Sequence, residues 1–231
     1  MVMIPEAYYQ FVMDYAPYVY VIPPDTPDPE YGKAAFAAAF AIDFLYEAYS
    51  NERFESRRTE INNKIVSLAD WILTQQCTDS GKLAYGGFKS NENSTYYYSV
   101  DACRIIPSLL KAYELTSNVA YLDAARLAGA TFLYNMQHKP NELGVHDKYY
   151  GGFARAVTIA DAWLQQMDVE CLYGLIGLKM LCDFDPSNAS KYQSMMTDAT
   201  GFYRSGFEQF FLYYDPAPNG DADWHRVGLN E

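Results

Sequence analysis

The sequence predicts an all-α fold built from three αα-hairpin repeats, and two observations lead there. The first is a phrase used twice. Trp71-Ile72-Leu73-Thr74-Gln75-Gln76 leads to Tyr85-Gly86-Gly87-Phe88, and Phe132-Leu133-Tyr134-Asn135-Met136-Gln137 leads to Tyr150-Gly151-Gly152-Phe153. The step from Tyr85 to Tyr150 is 65 residues, the length of one helix-loop-helix unit. The second is that from Lys33 onward apolar residues recur at three- and four-residue steps, the period of a helix with one buried face.

Taken in order, Ile4 to Tyr15 reads as a short helix, and the prolines between Pro23 and Pro29 cannot continue it. The first hairpin pairs Ala34–Ser50 with Arg57–Gln76, whose Ile61, Ile65, Leu68, Trp71 and Ile72 form one stripe. The second pairs Tyr97–Leu115 with Val119–Gln137, with Asn118 as the natural cap between them and Pro107 bending the first helix or marking its start. The third pairs Ala160–Cys182 with Asn188–Phe211, where Pro186 stops one helix and Ser187 caps the next. Strands are expected only as short pieces in the glycine loops. The chain is read as a single domain over 1–231, with an N-terminal helix and proline-rich lead-in (1–32), the hairpins (33–213) and a tail (214–231).

Composition bounds the function. Half of the 231 residues are apolar, enough for a substantial core. A net charge of −12 argues against nucleic acid and anionic membrane as partners, since both need a positive field. The 22 tyrosines offer flat apolar faces with polar tips, which suit sugar rings as well as the margins of a helical core. Cys77, Cys103, Cys171 and Cys182 show no close pairing motif and read as buried thiols. No leader-like run opens the chain, so the default expectation is cytoplasmic; a chain trimmed of its leader would fit secretion equally. Nucleotide-binding glycine loops and a Gly-x-Ser-x-Gly elbow are absent from the sequence.

The stretch WILTQQCTDSGKLAYGGF resembles the repeat of the α/α-toroid families: terpene cyclases, protein prenyltransferase β-subunits, and many glycoside hydrolases and polysaccharide lyases. The resemblance implies that outer helices end in the Trp/Gln phrase, that the Gly-Gly-Phe loop crosses the end of the barrel, and that the next inner helix delivers residues into a central cavity. It covers about Ala34 to Phe211 and names a fold shared by unrelated chemistries. Complete toroids of these families have five to seven hairpins. Three hairpins imply a fragment, a small open relative, or a protomer completed by self-association or a further domain.

Residues just after each loop are then the ones presented at the cavity mouth. Asp101 lies 13 residues beyond Phe88 and Asp168 lies 15 beyond Phe153, near-equivalent positions in adjacent inner helices. Two facing carboxylates are what glycosidic bond cleavage needs, one as acid and one as base or nucleophile. Each also has a structural use in the first turn of a helix, where the dipole favours negative charge. His146, beside Asp147 in the second loop, would assist or position. Tyr97, Tyr98, Tyr150 and Trp163 would stack on sugar rings, with Arg155 and Glu170 as further contacts. Asp101-Ala102-Cys103 resembles the Asp-x-Cys zinc ligands of prenyltransferase β-subunits, but the segment that supplies their histidine carries Glu170, so neither metal nor cofactor is expected. The reading is a carbohydrate-active protein, a glycoside hydrolase or polysaccharide lyase acting on oligo- or polysaccharide. The alternatives are a non-catalytic glycan- or protein-binding module and a prenyltransferase- or terpenoid-cyclase-like enzyme.

Overall fold

A computed structural model describes residues 4–19, 21–22, 26–27, 32–140, 149–167 and 169–210. Helix α1 (Glu6–Tyr15) is followed by a minimal antiparallel pair, β1 (Val21–Ile22) and β2 (Thr26–Pro27). Helices α2 (Ala35–Tyr49) and α3 (Arg58–Thr74) pack against each other. The alanines decide how closely they do so. Ala35, Ala38, Ala39 and Ala48 are fully buried beside Ile42 and Leu45, giving α2 a face thin enough to touch two helices at once. Ile61, Ile65, Leu68, Ala69 and Ile72 form the buried stripe of α3, as their spacing requires.

Helix α4 (Ser99–Thr116) is the centre of the molecule, buried on nearly every side from Ser99 to Ala112 and packed against α2 and α3. Pro107 lies inside it rather than at its start. Ser117, in the left-handed conformation at φ 58°, ends α4, and the Asn118 side chain accepts the Ala120 amide to open α5 (Val119–Leu127). A π-helical turn over Ala128–Leu133 continues into α6 (Tyr134–Met136). Two glycines bring α7 (Gly174–Phe184) onto α4: a Cβ at Gly174 would stand 2.5 Å from the Cys103 sulfur, and one at Gly177 3.0 Å from Ile106. Helix α8 (Ala189–Phe210) packs on α7. Asp185 joins the last two, accepting from Ser187, Asn188 and the Tyr192 hydroxyl.

The twin phrases build the same loop twice. The Gln76 side chain donates to the carbonyls of Gly86 (3.0 Å) and Ala124 (2.9 Å); that of Gln137 donates to Gly151 (3.0 Å) and Met195 (2.9 Å). The backbone repeats too, with Cys77 and Gly86–Gly87 exchanging two hydrogen bonds as His138 and Gly151–Gly152 do. Both loop phenylalanines, Phe88 and Phe153, are fully buried. Each glutamine thus ties the end of one helix to its loop and to a later helix, α5 for Gln76 and α8 for Gln137. Gln137→Ala leaves two buried carbonyls without a donor and is expected to cost about 2 kcal/mol in urea denaturation, a little more than Gln76→Ala at its less buried site.

The sequence reading departs from the structure at Ala160–Cys182. Instead of one helix, this segment holds a strand, a short 3-10 turn and only then α7. Three antiparallel strands form a sheet in the order β3 (Tyr96–Tyr98), β4 (Ala154–Thr158) and β5 (Trp163–Met167). Strand β4 follows the second glycine loop as expected, whereas β3 takes Tyr97 and Tyr98 from the helix expected over Tyr97–Leu115, so α4 begins at Ser99. Strand β5 is a correction. The turn before it holds Asp161 in the left-handed conformation at φ 58°, with the Ala162 amide donating to the Thr158 hydroxyl and the Asp161 amide to the Thr158 carbonyl. The Asp161 carboxylate accepts the Leu83 amide and pairs with Lys82, fastening this hairpin to the first glycine loop. The chain is therefore mostly helical with a small sheet.

Candidate functional site

Asp101 sits in the first turn of α4, directly after β3. Its placement follows from the junction: the Ser99 hydroxyl donates to the Ala154 carbonyl at 2.6 Å, pinning the start of α4 to β4. Asp101 is only 3% exposed, takes a hydrogen bond from the Ser90 side chain, and has one carboxyl oxygen with no partner. Burial pushes its pKa up to about 6, with nearby Glu170 adding to the rise and Ser90 and Arg104 opposing it.

Arg104 lies one turn further along α4 and forms an ion pair with Glu170, which is carried on a 3-10 turn over Val169–Tyr173. The Cys103 thiol donates to the Cys171 carbonyl and holds that turn against α4. The guanidinium lies 5.5 Å from the ring centre of Phe40, 5.8 Å from Tyr173 and 5.9 Å from Phe36, three rings from α2 and the 3-10 turn. Two carboxyls of different surroundings, Asp101 on α4 and Glu170 on the 3-10 turn, thus flank a caged guanidinium in the N-terminal half of α4. Sequence reasoning missed Arg104, Phe36, Phe40, Tyr173 and Ser90. The available signal was Arg104 itself, a lone cation inside the apolar run Ser99-Val-Asp-Ala-Cys-Arg-Ile-Ile.

The sheet register divides the expected aromatic set. Tyr97 pairs with Val157 and Val157 with Trp163, so these three share one face; Tyr98 pairs with Ala156 and turns to the other. Tyr96 and Tyr98 have ring centres 5.6 Å apart. Burial raises the Tyr98 hydroxyl pKa, Arg155 lowers it, and Tyr96 and Asp101 add to the rise. Tyr97 instead hydrogen-bonds with Cys77, and burial raises its pKa. Tyr150 hydrogen-bonds with Asp198 of α8, so it belongs to the contact between the second loop and α8. Trp163 is exposed on the opposite sheet face from Tyr98. A single stacking platform of Tyr97, Tyr98, Tyr150 and Trp163 is therefore not formed, because alternation along a strand sends neighbours to opposite faces.

Asp168 and His146 lie outside the described residues. Among the described residues no three His, Cys, Asp or Glu side chains converge on a metal position, and no helix is long and apolar enough to cross a membrane. No protein-family model matches the chain, and no curated protein sequence matches it.

Proposed function

We propose that this chain is a carbohydrate-active protein of the α/α-toroid type that cleaves glycosidic linkages, with Asp101 as its general acid. The carrying observation is the Asp101 carboxyl: buried, short of one hydrogen-bond partner, and shifted to a pKa of about 6, where about half stays protonated at pH 6 and about a tenth at pH 7. A carboxyl held in that state can deliver a proton to a leaving glycosidic oxygen. Glu170, ion-paired with Arg104, and Asp168 two residues before it are the carboxylates available as base or nucleophile. The ring of Tyr98 and the exposed rings of Phe40 and Tyr173 would bear the sugars.

The fold reading behind this takes α2, α4 and α7 as an inner row, each packed on its outer partner α3, α5 or α8. Leu172 and Ile176 are exposed beside that row, and we propose that a further domain or a second copy of the chain covers them. The 3% exposure of Asp101 favours a second reading, a non-catalytic glycan-binding module in which this acid serves the helix start.

A polysaccharide panel scored for both reducing-end release and binding separates the two. The hydrolase reading expects cleavage that falls by about 100-fold or more in Asp101→Asn, with circular dichroism unchanged. Binding without cleavage, equal in both proteins, would establish the module instead.

A further inference from the structure

Two lysines share one tyrosine ring on the outer side of the second loop. The Nζ atoms of Lys139, two residues past Gln137, and Lys191, near the start of α8, each stand 4.0 Å from the centre of the Tyr134 ring. Both ammonium groups have neutral hydrogen-bond acceptors. Lys139 donates to the Gln137 side-chain oxygen at 3.0 Å and Lys191 to the Ala130 carbonyl at 2.9 Å. Among the described residues neither has a carboxylate within ion-pair distance. Asp198 of α8 is the acidic group that acts on Lys139, and it is engaged by Tyr150. His138 and Tyr149, in edge-to-face contact, are further titratable groups of this loop among the described residues.

We propose that Lys139 is a nucleophilic amine that condenses with small 2-oxo acids, Lys191 pairing with their carboxylate. Burial chiefly, and Lys191 in addition, push the Lys139 amine down to about 8 against the opposing pull of Asp198, so much of it is neutral in mildly alkaline solution. The neutral nitrogen attacks the carbonyl carbon, a C–N bond forms, and the carbonyl oxygen leaves as water with the two amine hydrogens, giving an imine. No electron acceptor is needed. The carboxylate of the oxo acid gives Lys191 an anionic partner and offsets the repulsion between the two ammonium groups, which a neutral aldehyde or ketone cannot do.

The test is reductive trapping at pH 7.5 with pyruvate or neutral hydroxyacetone and cyanoborohydride, read lysine by lysine by peptide mass spectrometry. Lys139 is expected to trap pyruvate at least about tenfold faster than the solvent-facing Lys82 and Lys179. Lys191→Met is expected to slow pyruvate trapping at Lys139 more than hydroxyacetone trapping. Asp198→Asn, which removes the group that keeps Lys139 protonated, is expected to speed both. Labelling of Lys139 no faster than Lys82 and Lys179 overturns the proposal, as does equal slowing of the two probes by Lys191→Met.

Discussion

Gly151→Ala is expected to destabilise the protein by about 3 kcal/mol or more, among the largest effects available to a single added methyl group. Gly151 has φ 89°, a conformation L residues rarely adopt, and its missing Cβ would stand 2.1 Å from the Asp198 carbonyl oxygen and 2.6 Å from its carbon. Those atoms belong to the backbone of α8, so no side chain can swing aside. The first loop repeats the situation with more room: Gly86 also has φ 89°, and its Cβ would meet the Leu127 carbonyl oxygen at 2.7 Å. Gly86→Ala should therefore cost less than Gly151→Ala, at about 2 kcal/mol. Two controls separate packing from backbone strain. Gly32, at φ 57° with nothing within 4 Å, should lose only about 1 kcal/mol on replacement by alanine. Gly201, in α8 with open space around it, should gain about 0.5–1 kcal/mol. Urea denaturation of the four variants gives the order directly, and Gly151→Ala as mild as Gly32→Ala would mean the loop does not press on α8 as described.

Asp101→Asn is expected to make the protein more stable at neutral pH while removing the proposed cleavage of glycosidic bonds. The folded pKa of Asp101 is raised to about 6 from an ordinary value of 3.8. A raised pKa means that the folded state holds the proton more tightly than the unfolded chain. The associated stability is fully present below about pH 4 and is lost as pH rises through 6. Above that window the native protein keeps a desolvated charge, at a cost on the order of 3 kcal/mol. Asparagine carries no charge, so the variant should gain about 1–2 kcal/mol at pH 7.5 after what its amide loses by finding only Ser90 as partner. Its stability should also change less between pH 4 and 6 than that of the wild type. A wild-type carboxyl titrating near 4 by carbon NMR, or an Asn variant less stable at pH 7.5, would contradict the description of this acid. A residue that lowers stability where it stands is what a working site accumulates.

The helical part of the fold was legible because its signals are local. Asn118 capped α5 as its side chain allows, and the Ile61-Ile65-Leu68-Ile72 spacing became the buried face of α3. The glutamines at the ends of the twin phrases marked real loops, since each amide has two carbonyls to satisfy at once. Strand β5 was not legible in this way. Trp163-Leu-Gln-Gln-Met has no strict alternation, and its pairing partner Ala154–Thr158 supplies hydrogen bonds that only the folded chain brings together. The Asp161 turn was the one local cue, an aspartate able to take the left-handed conformation before a new strand. The site divides likewise. Asp101 was found from its distance to the loop, but the cage around Arg104 draws on α2, α4 and the turn at Glu170, far apart in sequence. Alternation in β3 explains why Tyr97 and Tyr98, adjacent in the chain, cannot serve one surface.

The central claim is that Asp101 acts as an acid on glycosidic bonds, and the most direct measurement is product release from a polysaccharide panel, at pH 4 to 8, by wild type and Asp101→Asn side by side. The account predicts that the wild type shortens at least one polysaccharide, with a rate falling as pH rises past about 6, and that the variant does not while melting at a higher temperature at pH 7.5. An Asn variant that cleaves as well as the wild type, or a wild type that cleaves none of the panel, would contradict it.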